Sequence, residues 1–150
     1  MFTVHIYVET DSTAPRSKDR MAGYVLEYVT ASGQIATREH FEKKTGTYHA
    51  VILQILIDAM QRINKPCEIH VHTQNEFILE SLVSNLPGWS TNSYRSQKGT
   101  LIKNYVEWQQ LWELVKEQLV VKAPGKHEYY DWMQGEMGRL KNLQHLEKTR

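Results

Sequence analysis

What most constrains this chain is the order in which its hydrophobic periods change. Alternation comes first, then one dense apolar helix, then strand and helix in turn. Val4, Ile6 and Val8 alternate with His5, Tyr7 and Glu9, a period of two that predicts a strand over 3–9 with two differently dressed faces. Residues 10–20 are polar, contain Pro15 and carry Arg16, Lys18 and Arg20, which predicts a basic loop. A second strand is expected over 22–30. The turn Ala31-Ser32-Gly33-Gln34 joins it to a third over 35–41, and so short a polar connection favours an antiparallel hairpin.

From 47 to 63 the pattern changes. Val51, Ile52, Leu53, Ile55, Leu56, Ile57, Ala59, Met60 and Ile63 are too dense for a narrow surface stripe, so this helix is expected to be deeply buried. Asn64-Lys65-Pro66 ends it, because proline cannot continue the hydrogen-bond ladder, and 67–73 resumes alternation as a fourth strand. Thr73 with Glu76 resembles a capping box that starts another helix through Phe77, Ile78, Leu79 and Leu82. Strand and helix in succession imply parallel pairing with a right-handed crossover. Residues 85–99 are rich in turn formers and read as a surface connection carrying Arg95 and Lys98. Leu101, Tyr105, Trp108, Trp112, Val115 and Leu119 recur at helical spacing and predict one face that packs on the sheet. A fifth strand over 119–122, a break at Ala123-Pro124-Gly125 and a last helix over 127–143 complete the chain, with Gly135 and Gly138 costing that helix stability.

At 150 residues and 41% hydrophobic content, the chain suits one domain with one core. Its 18 basic and 17 acidic residues leave a formal charge of +1, so bulk charge gives no general attraction to nucleic acid and binding must come from local clusters. The lone Cys67 excludes an internal disulfide framework and fits a reducing compartment. No apolar stretch nears the roughly 18 residues that span a bilayer, so a soluble, cytoplasmic protein without a membrane partner is expected.

A three-strand meander, buried helix, strand, two helices, strand and final helix resembles the ribonuclease H type 1 family over about residues 3–140. VHIYVET is similar to that family's first strand and AGYVLEY to its second. TGTYHAVILQILIDAM resembles its first helix, CEIHVHTQNEFI its fourth strand with the following helix, and KNYVEWQQLW its long later helix. The resemblance implies an α/β fold: a five-stranded mixed sheet of order 3-2-1-4-5 flanked by helices. It also implies cleavage of the RNA strand of an RNA–DNA hybrid, with two magnesium ions clamping the attacking water and the leaving oxygen through carboxylate ligands.

Carried over position by position, the family's four carboxylates fall on Glu9, His49, Gln74 and Asp131, the last within Glu128-Tyr129-Tyr130-Asp131. Two positions have thus lost their charge, and only Glu9 and Asp131 remain as metal ligands. The summed ligand charge falls from about four negatives toward two, which weakens magnesium binding. Asp11 and Glu76 are the available substitutes, although Glu76 is also explained by the cap it makes with Thr73. His127 stands where the family has a histidine loop. The resemblance therefore implies a ribonuclease H-like nucleic-acid-binding protein with a degenerate active site, in which hybrid cleavage is lost or weak. The alternatives are an active enzyme using magnesium or manganese on a rearranged ligand set, and a protein-interaction module on the same scaffold. Its nucleic-acid partner would be an RNA–DNA hybrid or double-stranded RNA or DNA, with Arg16, Lys18, Arg20, Arg95 and Lys98 flanking the groove.

Three further groups compete with packing roles. His70 and His72 share a strand face, and His5 faces the same way on the neighbouring strand, a pattern able to bind a transition metal but commoner as hydrogen-bonded packing. His49 is expected either to hold one softer ion with Glu9 and Asp131 or to hydrogen-bond Glu9. Among the tryptophans only Trp89, in the 85–99 connection, is a candidate for an exposed stacking ring.

Overall fold

Alternation places Val4, Ile6 and Val8 of the first strand, β1 (Phe2–Thr10), in the larger of two apolar clusters. The structure is a computed structural model and describes residues 2–148. β2 (Lys18–Val29) pairs antiparallel with β1, and β3 (Ile35–Gly46) antiparallel with β2. On the other side of β1 lie β4 (Cys67–Thr73) and β5 (Leu119–Pro124), both parallel. The sheet order β3-β2-β1-β4-β5 is the one the resemblance implies.

Among the described residues, five α-helical segments accompany the sheet. α1 (Tyr48–Met60) starts where the Thr47 hydroxyl accepts from the Ala50 amide at 3.3 Å, and it buries Val51, Ile52, Ile55 and Leu56 against the sheet. α2 (Glu76–Glu80) continues through a π-helical turn, Ser81–Asn85, into α3 (Leu86–Thr91). α4 (Tyr105–Val115) sets Trp108, Leu111 and Val115 into the same cluster. α5 (Tyr130–Lys148) packs on the opposite face, where Met133 and Met137 meet Tyr7, Met21 and Val25 in a second cluster. β1 is therefore covered on both faces from Ile6 onward, which is why its alternation gives way to continuous burial.

Several expectations need correction. β2 and β3 each run 12 residues, longer than predicted, because the polar tail of β3 is held by pairing, Lys18 with Gly46 and Arg20 with Lys44, and not by burial. Part of the 85–99 connection is helix α3. Pro87 occupies its first turn, where no amide donor is needed, and Leu86 anchors it in the core. Trp89 is accordingly not an exposed ring; it packs edge-on against Trp108 at 5.4 Å, and the exposed tryptophan is Trp132 at 44%. α4 begins only after Asn104, whose left-handed φ of 62° interrupts the helix, so Leu101 pairs with Arg95 in an isolated bridge instead. Beside the site, Gly23 pairs with Glu9. A Cβ there would lie 2.1 Å from the Phe41 ring and 2.6 Å from the His40 carbonyl, so only glycine fits.

Candidate active site

Glu9 is the penultimate residue of β1, at the edge where β4 and β1 run out together, and it is fully buried. Its Oε2 accepts from the Gln74 backbone amide at 3.2 Å and lies 2.8 Å from His127 Nε2. The tautomer of His127 follows from its other nitrogen. Nδ1 accepts from the Tyr129 amide at 3.2 Å, so it carries no proton and Nε2–H donates to Glu9. His127 is thus a neutral donor clamping a buried carboxylate, its side chain only 4% exposed. Glu9 Oε1 is buried with no hydrogen-bond partner among the described residues. Burial, then the charge of Glu9, pushes the Tyr48 hydroxyl up to about 12, so it stays protonated beside the carboxylate.

His49, expected to face Glu9, is turned to a different partner. Asn75 N-caps α2 by accepting from the Ile78 amide through Oδ1 at 3.0 Å, which leaves its Nδ2 to donate to His49 Nδ1 at 2.9 Å. His49 therefore carries its proton on Nε2. Its ring stacks on Phe77 at 4.6 Å and on Tyr48 at 5.5 Å. Burial, with the Lys103 ammonium nearby, lowers its pKa. The cap of α2 is Asn75 and not a Thr73–Glu76 box. The Thr73 hydroxyl instead accepts from the Asn75 amide at 3.2 Å, and Glu76 is exposed in the first turn.

Parallel pairing sets His5 opposite His70 and Tyr7 opposite His72, so these rings form a tier on the sheet face that carries Glu9. His5 Nδ1 and His72 Nε2 are hydrogen-bonded at 2.9 Å, Tyr7 stacks on His72 at 4.3 Å, and His70 Nε2 meets Glu68 at 3.1 Å. Tyr7 donates to Glu128 at 2.9 Å and Tyr129 to Glu27 at 2.5 Å. Among the described residues, no group of three or more His, Cys, Asp or Glu side chains has the geometry to hold a metal ion.

The remaining sequence-derived residues do not converge on Glu9. The Asp131 side chain is 81% exposed and pairs with Lys126 at 3.0 Å. Asp11 accepts from the Met21 amide at 3.1 Å, closing the turn between β1 and β2. Arg20 is corrected outright as a phosphate contact. It is 2% exposed, and its guanidinium donates to the carbonyls of Ser12, Arg16 and Gly46, tying the basic loop down from within. Arg16, Arg95 and Lys98 are exposed and Lys18 half-buried, as phosphate contacts require, with Arg95 also donating to the Gly99 carbonyl. His127 is the residue whose importance the sequence left faint. Its place just before the last helix, where the resembling family has a histidine loop, is what marks it.

These residues do not fit two magnesium ions. The orphaned Oε1 of Glu9 offers one hard oxygen, but its neighbours His127, the Gln74 amide and the protonated Tyr48 hydroxyl bring no further anionic oxygen.

No protein-family model matches the sequence. Ribonuclease H of Thiobacillus denitrificans is 26% identical over 96 residues, which is 64% of this chain and 60% of that relative's length. Among solved structures, LC9-RNase H1, a type 1 RNase H with the type 2 active-site motif, aligns with a TM-score of 0.70 at 16% identity, over 93% of this chain and 70% of its own. The foamy viral protease-reverse transcriptase in complex with an RNA/DNA hybrid aligns with a TM-score of 0.57 at 14% identity, over 91% of this chain and 19% of its own. Among the described residues no helix is long and apolar enough to cross a membrane. Sheet order, pairing directions and these relatives together place the chain in the ribonuclease H-like fold.

Proposed function

We propose that this protein binds nucleic acid on a ribonuclease H-like scaffold and that its two-metal cleavage of RNA–DNA hybrids is lost or residual. One observation carries the reading: Glu9 is a buried carboxylate clamped by the neutral His127, and among the described residues no group of three or more His, Cys, Asp or Glu side chains could hold a metal ion there. Two divalent ions need several anionic oxygens to replace their water, and magnesium in particular dehydrates reluctantly. His49, in the place of one such acid, is bound to Asn75, and Gln74 contributes its backbone amide. Nucleic-acid binding is supported by the relatives, since the foamy viral enzyme's structure contains an RNA/DNA hybrid, and by exposed Arg16, Arg95 and Lys98.

A labelled RNA–DNA hybrid titrated with magnesium and then manganese tests both halves. Binding that weakens linearly in log–log salt plots, with no cleavage above background, is expected, because phosphate contacts release counterions. Metal-dependent cleavage that disappears in Glu9→Gln would show a working ligand set and overturn the reading.

A further inference from the structure

We infer that the stacked rings of His49 and Phe77 beside Glu9 form a platform for an unpaired nucleobase, so that the preferred ligand is nucleic acid with a single-stranded segment. The inference rests on the nucleic-acid reading above and names its ligand more narrowly. Phe77 is 54% exposed in the first turn of α2, two residues after the cap Asn75, which follows Glu9's hydrogen-bond partner Gln74. Its inner face lies on His49, ring centroids 4.6 Å apart and planes 29° from parallel, and His49 is stacked in turn on Tyr48 at the same angle. The tier is fixed from beneath. Asn75, itself fixed because its carbonyl oxygen caps α2, donates its Nδ2 to His49 Nδ1, so rotating the ring costs that hydrogen bond.

An exposed aromatic face held in one orientation suits a flat π-system. Bases inside a duplex already stack on their neighbours, whereas an unpaired base offers a free face. The chemistry nearby completes a nucleotide's needs. Exposed Lys103 lies close enough to His49 for its charge to act on that ring, which puts a cation within reach of the phosphate joined to a stacked base.

The test compares a fluorescent RNA–DNA hybrid with blunt ends against the same hybrid carrying a single-stranded RNA tail with 2-aminopurine in it. The wild-type protein is expected to bind the tailed form about tenfold more tightly and to quench the 2-aminopurine. Phe77→Ala should erase that preference without changing the salt slope. Phe77→Trp should retain it, and Lys103→Gln should lower the slope by about one. Equal binding of tailed and blunt hybrids by the wild-type protein, or a preference that survives Phe77→Ala, would overturn the platform and leave general nucleic-acid binding standing. If neither hybrid binds, both readings fall.

Discussion

Single residues here work by where their hydrogen bonds end. Arg20 looks in sequence like part of a basic loop, yet its guanidinium is consumed by three carbonyls. Arg20→Met should therefore cost about 1–3 kcal/mol of folding stability in chemical denaturation, since it strands buried acceptors, while leaving nucleic-acid affinity almost unchanged. Arg16→Met should do the reverse. His72 supplies the pH dependence. Burial first, then His5, His127 and His70, lower it from 6.5 to about 4, so between those values the unfolded chain binds a proton that the folded chain refuses. Its contribution is whole above 6.5 and is lost progressively as pH falls toward 4. Urea midpoints should drop from neutral pH to about pH 5, and His72→Gln should flatten that drop.

At the scale of elements, tight approach at the β1–β2–β3 crossing is the sharpest constraint. Gly23→Ala would drive a Cβ into Phe41 and the His40 carbonyl, so a loss of about 1–3 kcal/mol is expected, read as a lowered thermal midpoint. The elements were legible because alternation in 3–9 and 67–73 and the density of 48–60 are backbone-period signals, whereas the sheet order followed only from the family resemblance that their succession carries. The tail of β3 was not, because an edge strand of Glu42, Lys43 and Lys44 is held by amides and carries no apolar period. Helix α3 was masked by Pro87 and Gly88, residues that read as a turn yet are tolerated in a first helical turn anchored by Leu86. In the site, Glu9 could be read from its strand position. Its clamp by His127 could not, because 118 residues of chain separate the partners and no local pattern links them.

Across the whole molecule, the two faces of the sheet are held very unequally. α1 and α4 share a broad cluster of aliphatic side chains and Trp108, while α5 is held chiefly by Met133 and Met137 against Tyr7, Met21 and Val25. Flexible thioethers on a small contact patch make a weaker seam than close-packed branched side chains. Amide hydrogen exchange followed by mass spectrometry should accordingly show α5 exchanging through a partial opening well before α1 does. Equal protection of the two helices would contradict this. The seam also governs the buried acid. His127 lies just upstream of α5, and Gln134 within that helix donates to the carbonyl of Thr10 at 2.9 Å. Detachment of one weakly glued helix would pull away both the imidazole over Glu9 and the tether beside it. Access of solvent or a cation to that carboxylate is then expected to follow how long α5 stays seated, which rests largely on Met133 and Met137.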